Sequence, residues 1–245
     1  MKNRLLLPFS LLLLLAFPAR ANTATEPAPK DARWMERHEA FVAEAKQGGI
    51  QVLFLGDSIT DFWRDANPQR GGKAVWDREY APLHAANFGI SGDRTQNVLW
   101  RLEHGEADGY QPRVVVLMIG TNNTGLERDG VTPRNSTPEV VAGVTAVVRE
   151  LRGRFPEAKI LFLAIFPRGA KDSPQRAQVA EVNRELAKLN DGEHVFYLDI
   201  GRRFLDAAGD IPRDVMPDQL HPSLTGYEIW ADAIRAPLQQ LLAAH

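Results

Sequence analysis

The run Val114-Val115-Val116-Leu117-Met118 offers no polar residue to either side of a pleat. A strand of this kind has to be covered on both faces, as happens where helices cross over a parallel sheet. Four other short apolar stretches read as strands: Gln51 to Leu55, Ala85 to Phe88, Lys159 to Phe166 and His194 to Leu198. Segments with helical spacing separate them, without internal repeats or a mid-chain linker. The pattern predicts an α/β fold, a three-layer α/β/α sandwich on a five-stranded parallel sheet, in one domain from residue 31 to 245. Its crossovers should be right-handed, and the common three-layer arrangement supplies the expected strand order 2-1-3-4-5.

The helices carry their own punctuation. From Asp31, the spacing of Trp34, His38, Phe41, Val42 and Ala45 is helical and Gly48-Gly49 ends it. Ile59, Phe62 and Trp63 predict a short helix, and Trp76 and Tyr80 should pack beside the turn it follows. Thr95 to Leu102, Thr137-Pro138-Glu139 onward, Gln175 to Leu189 and Leu224 to Leu242 are the remaining helices, the second with proline at its first turn. Gly125 to Pro138 is charged and rich in turn residues, a surface loop placed to overhang a site.

The N-terminus reads as a targeting segment. Lys2 and Arg4 precede the apolar run Leu5 to Phe17, and Ala19-Arg20-Ala21 is a small-x-small cleavage site. The run is shorter than the ~20 residues of a membrane span. A mature chain starting at Asn22, periplasmic or secreted, is therefore expected, with no stable membrane insertion and with Asn22 to Lys30 as a disordered lead-in. Residues 1–21 hold three of the 29 Lys and Arg and none of the 31 Asp and Glu, so without them the formal charge moves from −2 to −5. No clustered positive charge points to nucleic acid. The absence of cysteine excludes disulfides, thiolate metal sites and a cysteine nucleophile.

The chemistry gathers where strands end. Gly56-Asp57-Ser58 follows the first strand and leaves a serine at the carboxyl edge of the sheet, where open α/β folds keep their sites. A serine hydroxyl needs a base within hydrogen-bond reach and a third group to orient that base. Asp218-Gln219-Leu220-His221 supplies both, with the carboxylate placed for Nδ1 and Nε2 facing outward. A developing oxyanion needs donors, and three are at hand: the Ser58 backbone N–H, the Gly92 N–H and the Asn122 side-chain amide, each following a strand of the same sheet. Taken singly, Asp218 is a turn residue, His221 a packed histidine, Gly92 a turn glycine and Asn122 a loop cap. Their joint order is what favours a nucleophilic site.

The ordered set Gly56-Asp57-Ser58, Gly92, Gly120-Thr121-Asn122 and Asp218 to His221 resembles the four blocks of SGNH/GDSL hydrolases. Arg33-Trp34-Met35, Pro82-Leu83-His84-Ala85, Asn87-Phe88-Gly89-Ile90, Val98-Leu99-Trp100-Arg101-Leu102 and Pro167-Arg168-Gly169 are similar to the catalytic subunits of platelet-activating-factor acetylhydrolase. The resemblance implies a flavodoxin-like fold and no cofactor. It implies hydrolysis of short acyl esters, chiefly acetyl, by Ser58 as nucleophile, His221 as base and Asp218 as its partner. It also implies oxyanion donors at Ser58, Gly92 and Asn122, an acyl pocket closed by Ile59 and Leu220, and a homodimer as one assembly. Two features depart from that family: the leader at residues 1–21, and a Gly125 to Pro138 loop longer than the corresponding connection.

Other readings keep the fold and change the substrate or remove the turnover. The acyl group can sit on a small ester, an O-acetylated glycan or a lipid, as in a polysaccharide O-acetylesterase or a lysophospholipase, or the chain can be an inactive binding module. Asp57, Asp61, Asp218 and His221 lack the spacing of a metal site. Arg94, Arg101 and Arg168 are available to an anionic leaving group, although ion-paired roles are the more ordinary ones. Asn122-Asn123-Thr124 and Asn135-Ser136-Thr137 match the glycosylation triplet.

Overall fold

A computed structural model describes residues 22–244. The strands are β1 (Val52–Gly56), β2 (Ala85–Gly89), β3 (Val114–Met118), β4 (Lys159–Leu163) and β5 (Val195–Leu198). All neighbours run parallel, in the order β2-β1-β3-β4-β5. The longer helices are α1 (Ala32–Gln47), α5 (Thr137–Arg154), α6 (Pro174–Leu186) and α7 (Leu224–Ala243), with α2 (Ser58–Asp61), α3 (Lys73–Glu79) and α4 (Thr95–Arg101) as short ones. The leader read at residues 1–21 lies outside the described residues. Among those residues no helix is long and apolar enough to cross a membrane.

Two cores flank the sheet, and the strands divide their side chains between them. Leu53, Leu55, Val115 and Leu117 face α1, α4, α5 and α6, while Val52, Phe54, Val114, Val116 and Met118 face α3 and α7. The unbroken apolar run of β3 is the consequence of covering both faces. On the second face an aromatic cluster forms around Trp63, which lies 4.3 Å from Tyr227 and 4.8 Å from Trp230, ring centre to ring centre. Trp76 and Tyr80 join this cluster against Phe54.

The helix ends follow the capping residues. Asp31 accepts from the Trp34 N–H at the start of α1, and Gly48, at φ 71°, ends it. Ser136 and Glu139 form a capping box on α5. Strand β4 stops three residues before its expected end at Phe166. The Asn183 side chain takes both the N–H and the C=O of Ile165, at 2.9 and 2.8 Å, in place of a strand partner.

The lead-in 22–30 is corrected by the structure, because it is fastened rather than disordered. Thr23–Thr25 form a 3-10 turn capped by Asn22, and Ala24 is completely buried. The Ala24 carbonyl accepts from Thr95 Oγ1 at 2.7 Å, and the Ala28 carbonyl from Asn97 Nδ2 at 2.9 Å. Polar composition alone does not show such partners, which lie about 70 residues away along the chain.

Candidate active site

The parallel register sets β1, β2 and β3 side by side, so the turns that leave them open on one edge. In the first turn, Gly56 fits because a Cβ there would stand 2.3 Å from Thr60 Oγ1 and 2.4 Å from the Met118 carbonyl. Asp57 caps α2 through its Oδ1, which accepts from the Ile59 N–H at 3.0 Å. Ser58 is thereby placed at the N-terminus of α2 with only 7% of its surface exposed.

His221 meets it from the other end of the chain. Ser58 Oγ lies 2.9 Å from His221 Nε2, and His221 Nδ1 lies 2.6 Å from Asp218 Oδ2. The second Asp218 oxygen accepts from the backbone N–H groups of Leu220 and His221, at 3.0 and 2.7 Å. This tight turn requires Gln219 at φ 59°. Burial opposes ionisation of Asp218, but the His221 N–H and imidazole and the Leu220 N–H outweigh it and hold the carboxyl below its usual range. With Nδ1–H donating its hydrogen bond to Asp218, Nε2 is left to accept from the serine hydroxyl. Phe62 packs against the ring, centre to centre at 5.0 Å.

The second and third turns face each other. Gly92 has φ 79°, a left-handed conformation that favours glycine. The Asn122 amide donates to the Asp93 carbonyl at 2.9 Å, which fixes the side chain and leaves its second N–H unspent. Arg134, from the long 125–138 loop, donates to the Asn122 carbonyl at 3.0 Å. Asn123 braces the same turn by accepting from the Thr95 N–H at 3.0 Å.

The structure thus brings together Ser58, His221 and Asp218, and joins the Gly92 and Asn122 turns through Asp93. The two expected acyl-pocket residues border the same core and differ in exposure. Ile59 is 1% exposed and belongs to the core on the α7 side, so its side chain offers no open surface to a ligand, whereas Leu220 is half-buried beside His221. The order of residues alone could not separate them, because the residue after the serine already turns inward along α2.

The three arginines are engaged. Arg94 forms a two-pronged pair with Glu127, Arg101 is completely buried, and Arg168 donates to the carbonyl and hydroxyl of Thr121 at 3.0 and 3.1 Å. Desolvation lowers the Arg168 pKa, partly offset by the carboxylates of Asp57 and Asp218 in its field. Among the described residues no group of three or more His, Cys, Asp and Glu could hold a metal ion. Asn135 is 4% exposed and bonded to Asn123 and Thr23, and Asn122 is committed to Asp93, so both glycosylation triplets have structural work. Sequence reasoning missed Phe62 and the joining role of Asp93. The Gly92-Asp93 dipeptide was the available signal for the latter.

A model of the GDSL-like lipase/acylhydrolase family matches residues 54–229. The chain belongs to that family and is a carboxylic ester hydrolase of its kind, with the family's α/β fold. Among individual proteins it is similar to the platelet-activating factor acetylhydrolase IB subunit alpha1 of Homo sapiens, 35% identical over 227 residues, covering 92% of this chain and 91% of that one. In fold it is similar to a putative acylhydrolase from Bacteroides fragilis, with a TM-score of 0.67 and 18% identity over 87% of this chain and 99% of that one. An acetylxylan esterase from Geobacillus stearothermophilus gives a TM-score of 0.61 at 23% identity over 79% of this chain and 94% of that one.

Proposed function

We propose that the protein is an exported serine esterase that hydrolyses short acyl esters, chiefly acetyl, through an acyl-enzyme at Ser58. The observation that carries the reading is the unbroken series from Ser58 Oγ to His221 Nε2 at 2.9 Å and from His221 Nδ1 to Asp218 at 2.6 Å. His221 Nε2 takes the hydroxyl proton as Oγ attacks the ester carbonyl. The Ser58 and Gly92 N–H groups and the free N–H of Asn122 receive the oxyanion. Nε2 then gives its proton to the departing alcohol. In the second half Nε2 takes a proton from water, the hydroxide attacks the acyl-enzyme, and Oγ leaves with that proton.

The acetyl preference draws on the relative at 35% identity, which is named for acetyl hydrolysis, and on the half-buried Leu220 beside the base. Export draws on the basic, apolar and small-residue pattern of residues 1–21. A series of p-nitrophenyl esters from acetate to decanoate, with wild type and Ser58→Ala, tests the reading. Turnover should be greatest on acetate and should vanish in the variant. Faster cleavage of the long esters would overturn the acyl preference, and persistence of turnover in Ser58→Ala would overturn the site.

A further inference from the structure

Behind the turns that carry Ser58, Gly92 and Asn122 lies a cluster of charge that the hydrolytic steps do not use. Arg101, Asp93 and Glu106 are all 0% exposed. Arg101 Nη1 donates to the Phe88 carbonyl at 2.9 Å and to Glu106 at 2.7 Å, and Nη2 donates to the Gly56 carbonyl at 3.4 Å. Arg101 Nε lies 3.0 Å from Asp93 Oδ2 as a buried ion pair, with neither atom engaged in an aligned hydrogen bond. These partners are spread over the end of β1, the end of β2, the turn after Gly92 and, through Glu106, the segment after α4. Asp93 carries the connection onward, since its carbonyl is the acceptor that holds the Asn122 amide.

We propose that Arg101 is the positioning residue of the oxyanion site, setting the spacing between the Ser58 N–H, the Gly92 turn and Asn122 without touching substrate. Stability alone does not explain the cluster, because replacing a buried ion network by apolar residues of similar volume is often neutral or stabilising. Geometry does explain it. Oxyanion donors act only when held to within about 0.5 Å of their place, and Ser91 and Gly92 of the turn are exposed. A guanidinium spreads five N–H donors over three nitrogens of one plane, so it reaches the Gly56 and Phe88 carbonyls and both carboxylates from one fixed position, whereas the three donors of an ammonium diverge from a single atom.

The remaining neighbours hold the two carboxylates from the α1 side. Trp34 Nε1 donates to Asp93 Oδ1 at 2.7 Å, Lys30 Nζ lies 3.3 Å from the same oxygen, and His38 Nδ1 lies 3.3 Å from Glu106 Oε2. Trp34 and Lys30 therefore tie the start of the described chain to the same turn.

The inference rests on the oxyanion reading given above, and one set of measurements separates the two. The full chain is compared as wild type, Ser58→Ala, Arg101→Lys, Asp93→Asn and Trp34→Phe, with kcat and KM on p-nitrophenyl acetate beside near-ultraviolet circular dichroism and melting. Arg101→Lys keeps the charge and loses the fork, and Asp93→Asn keeps the shape and loses the charge. Each should lower kcat on the order of 10²-fold, the loss typical of a misplaced oxyanion donor, with KM within about threefold. Trp34→Phe keeps a core ring, removes one bond to Asp93, and should lower kcat several-fold at unchanged KM even if the other two fail to fold. Folded variants with wild-type kcat, or losses confined to KM or to melting, overturn the inference while an inactive Ser58→Ala leaves the site standing. An active Ser58→Ala removes both.

Discussion

The Tyr227 hydroxyl donates to the backbone carbonyl of Ile59 at 2.7 Å, joining α7 to the turn that carries Ser58 across 168 residues of chain. Both groups are buried, and burial pushes the Tyr227 phenol well above its ordinary range, so the hydroxyl is a permanent donor. The closing helix that follows His221 therefore also anchors the serine.

Tyr227→Phe should leave the Ile59 carbonyl buried without that donor, at a cost of about 1–3 kcal/mol. At ~2–4 °C per kcal/mol for a chain of this size, the melting temperature should fall by several degrees. Turnover at 25 °C should change less than threefold. An unchanged melting temperature would show that the bond adds nothing.

Asp218→Asn should act on rate, not on folding. An amide in place of the carboxylate favours the wrong imidazole tautomer and withdraws the charge that stabilises the imidazolium. A loss of kcat on the order of 10³- to 10⁴-fold is expected, with KM nearly unchanged, in steady-state kinetics on p-nitrophenyl acetate. A loss below tenfold would mean that His221 is oriented without Asp218.

Asp57 should make stability depend on pH. Its Oδ2 is buried without a hydrogen-bond partner, and burial pushes the carboxyl up from 3.8 to about 7, against the opposing Ile59 N–H. Between those values the folded protein keeps a proton that the unfolded chain has released. Stability must then decline as pH rises through that window, with the whole penalty present above it. Asp57→Asn removes this dependence, so its melting temperature relative to wild type should climb from pH 5 to pH 8. The whole window carries at most about 4 kcal/mol at ~1.4 kcal/mol per pH unit, and the part above pH 5 about 3 kcal/mol. A difference that stays constant with pH would contradict the assignment.

Ile59 and Leu220 should respond differently to truncation. Ile59→Ala opens a cavity in the core and should cost about 2–5 kcal/mol in chemical denaturation. Leu220→Ala should cost less and should raise butyrate turnover relative to acetate. The reverse pattern would place Ile59 on the acyl group after all.

Much of this arrangement was legible before any coordinates. Apolar runs ending in polar turns located five strands, and a parallel sheet necessarily gathers the turns after β1, β2 and β3 on one edge. Helix α3 was not visible because Val75 is its only buried residue, too little for a periodic stripe. The fastening of Ala24 and Ala28 escaped because their partners on α4 are named by space and not by composition. Arg101 read as a residue available to a ligand, since an arginine advertises charge and nothing local to it announces two carboxylates and two strand-end carbonyls.

The most direct test of the account is to treat the folded chain with a fluorophosphonate and map the adduct by peptide mass spectrometry. A nucleophile activated by His221 should yield one adduct, on Ser58, lost in His221→Ala. An unlabelled Ser58 in active protein, or an adduct on a different residue, would contradict it.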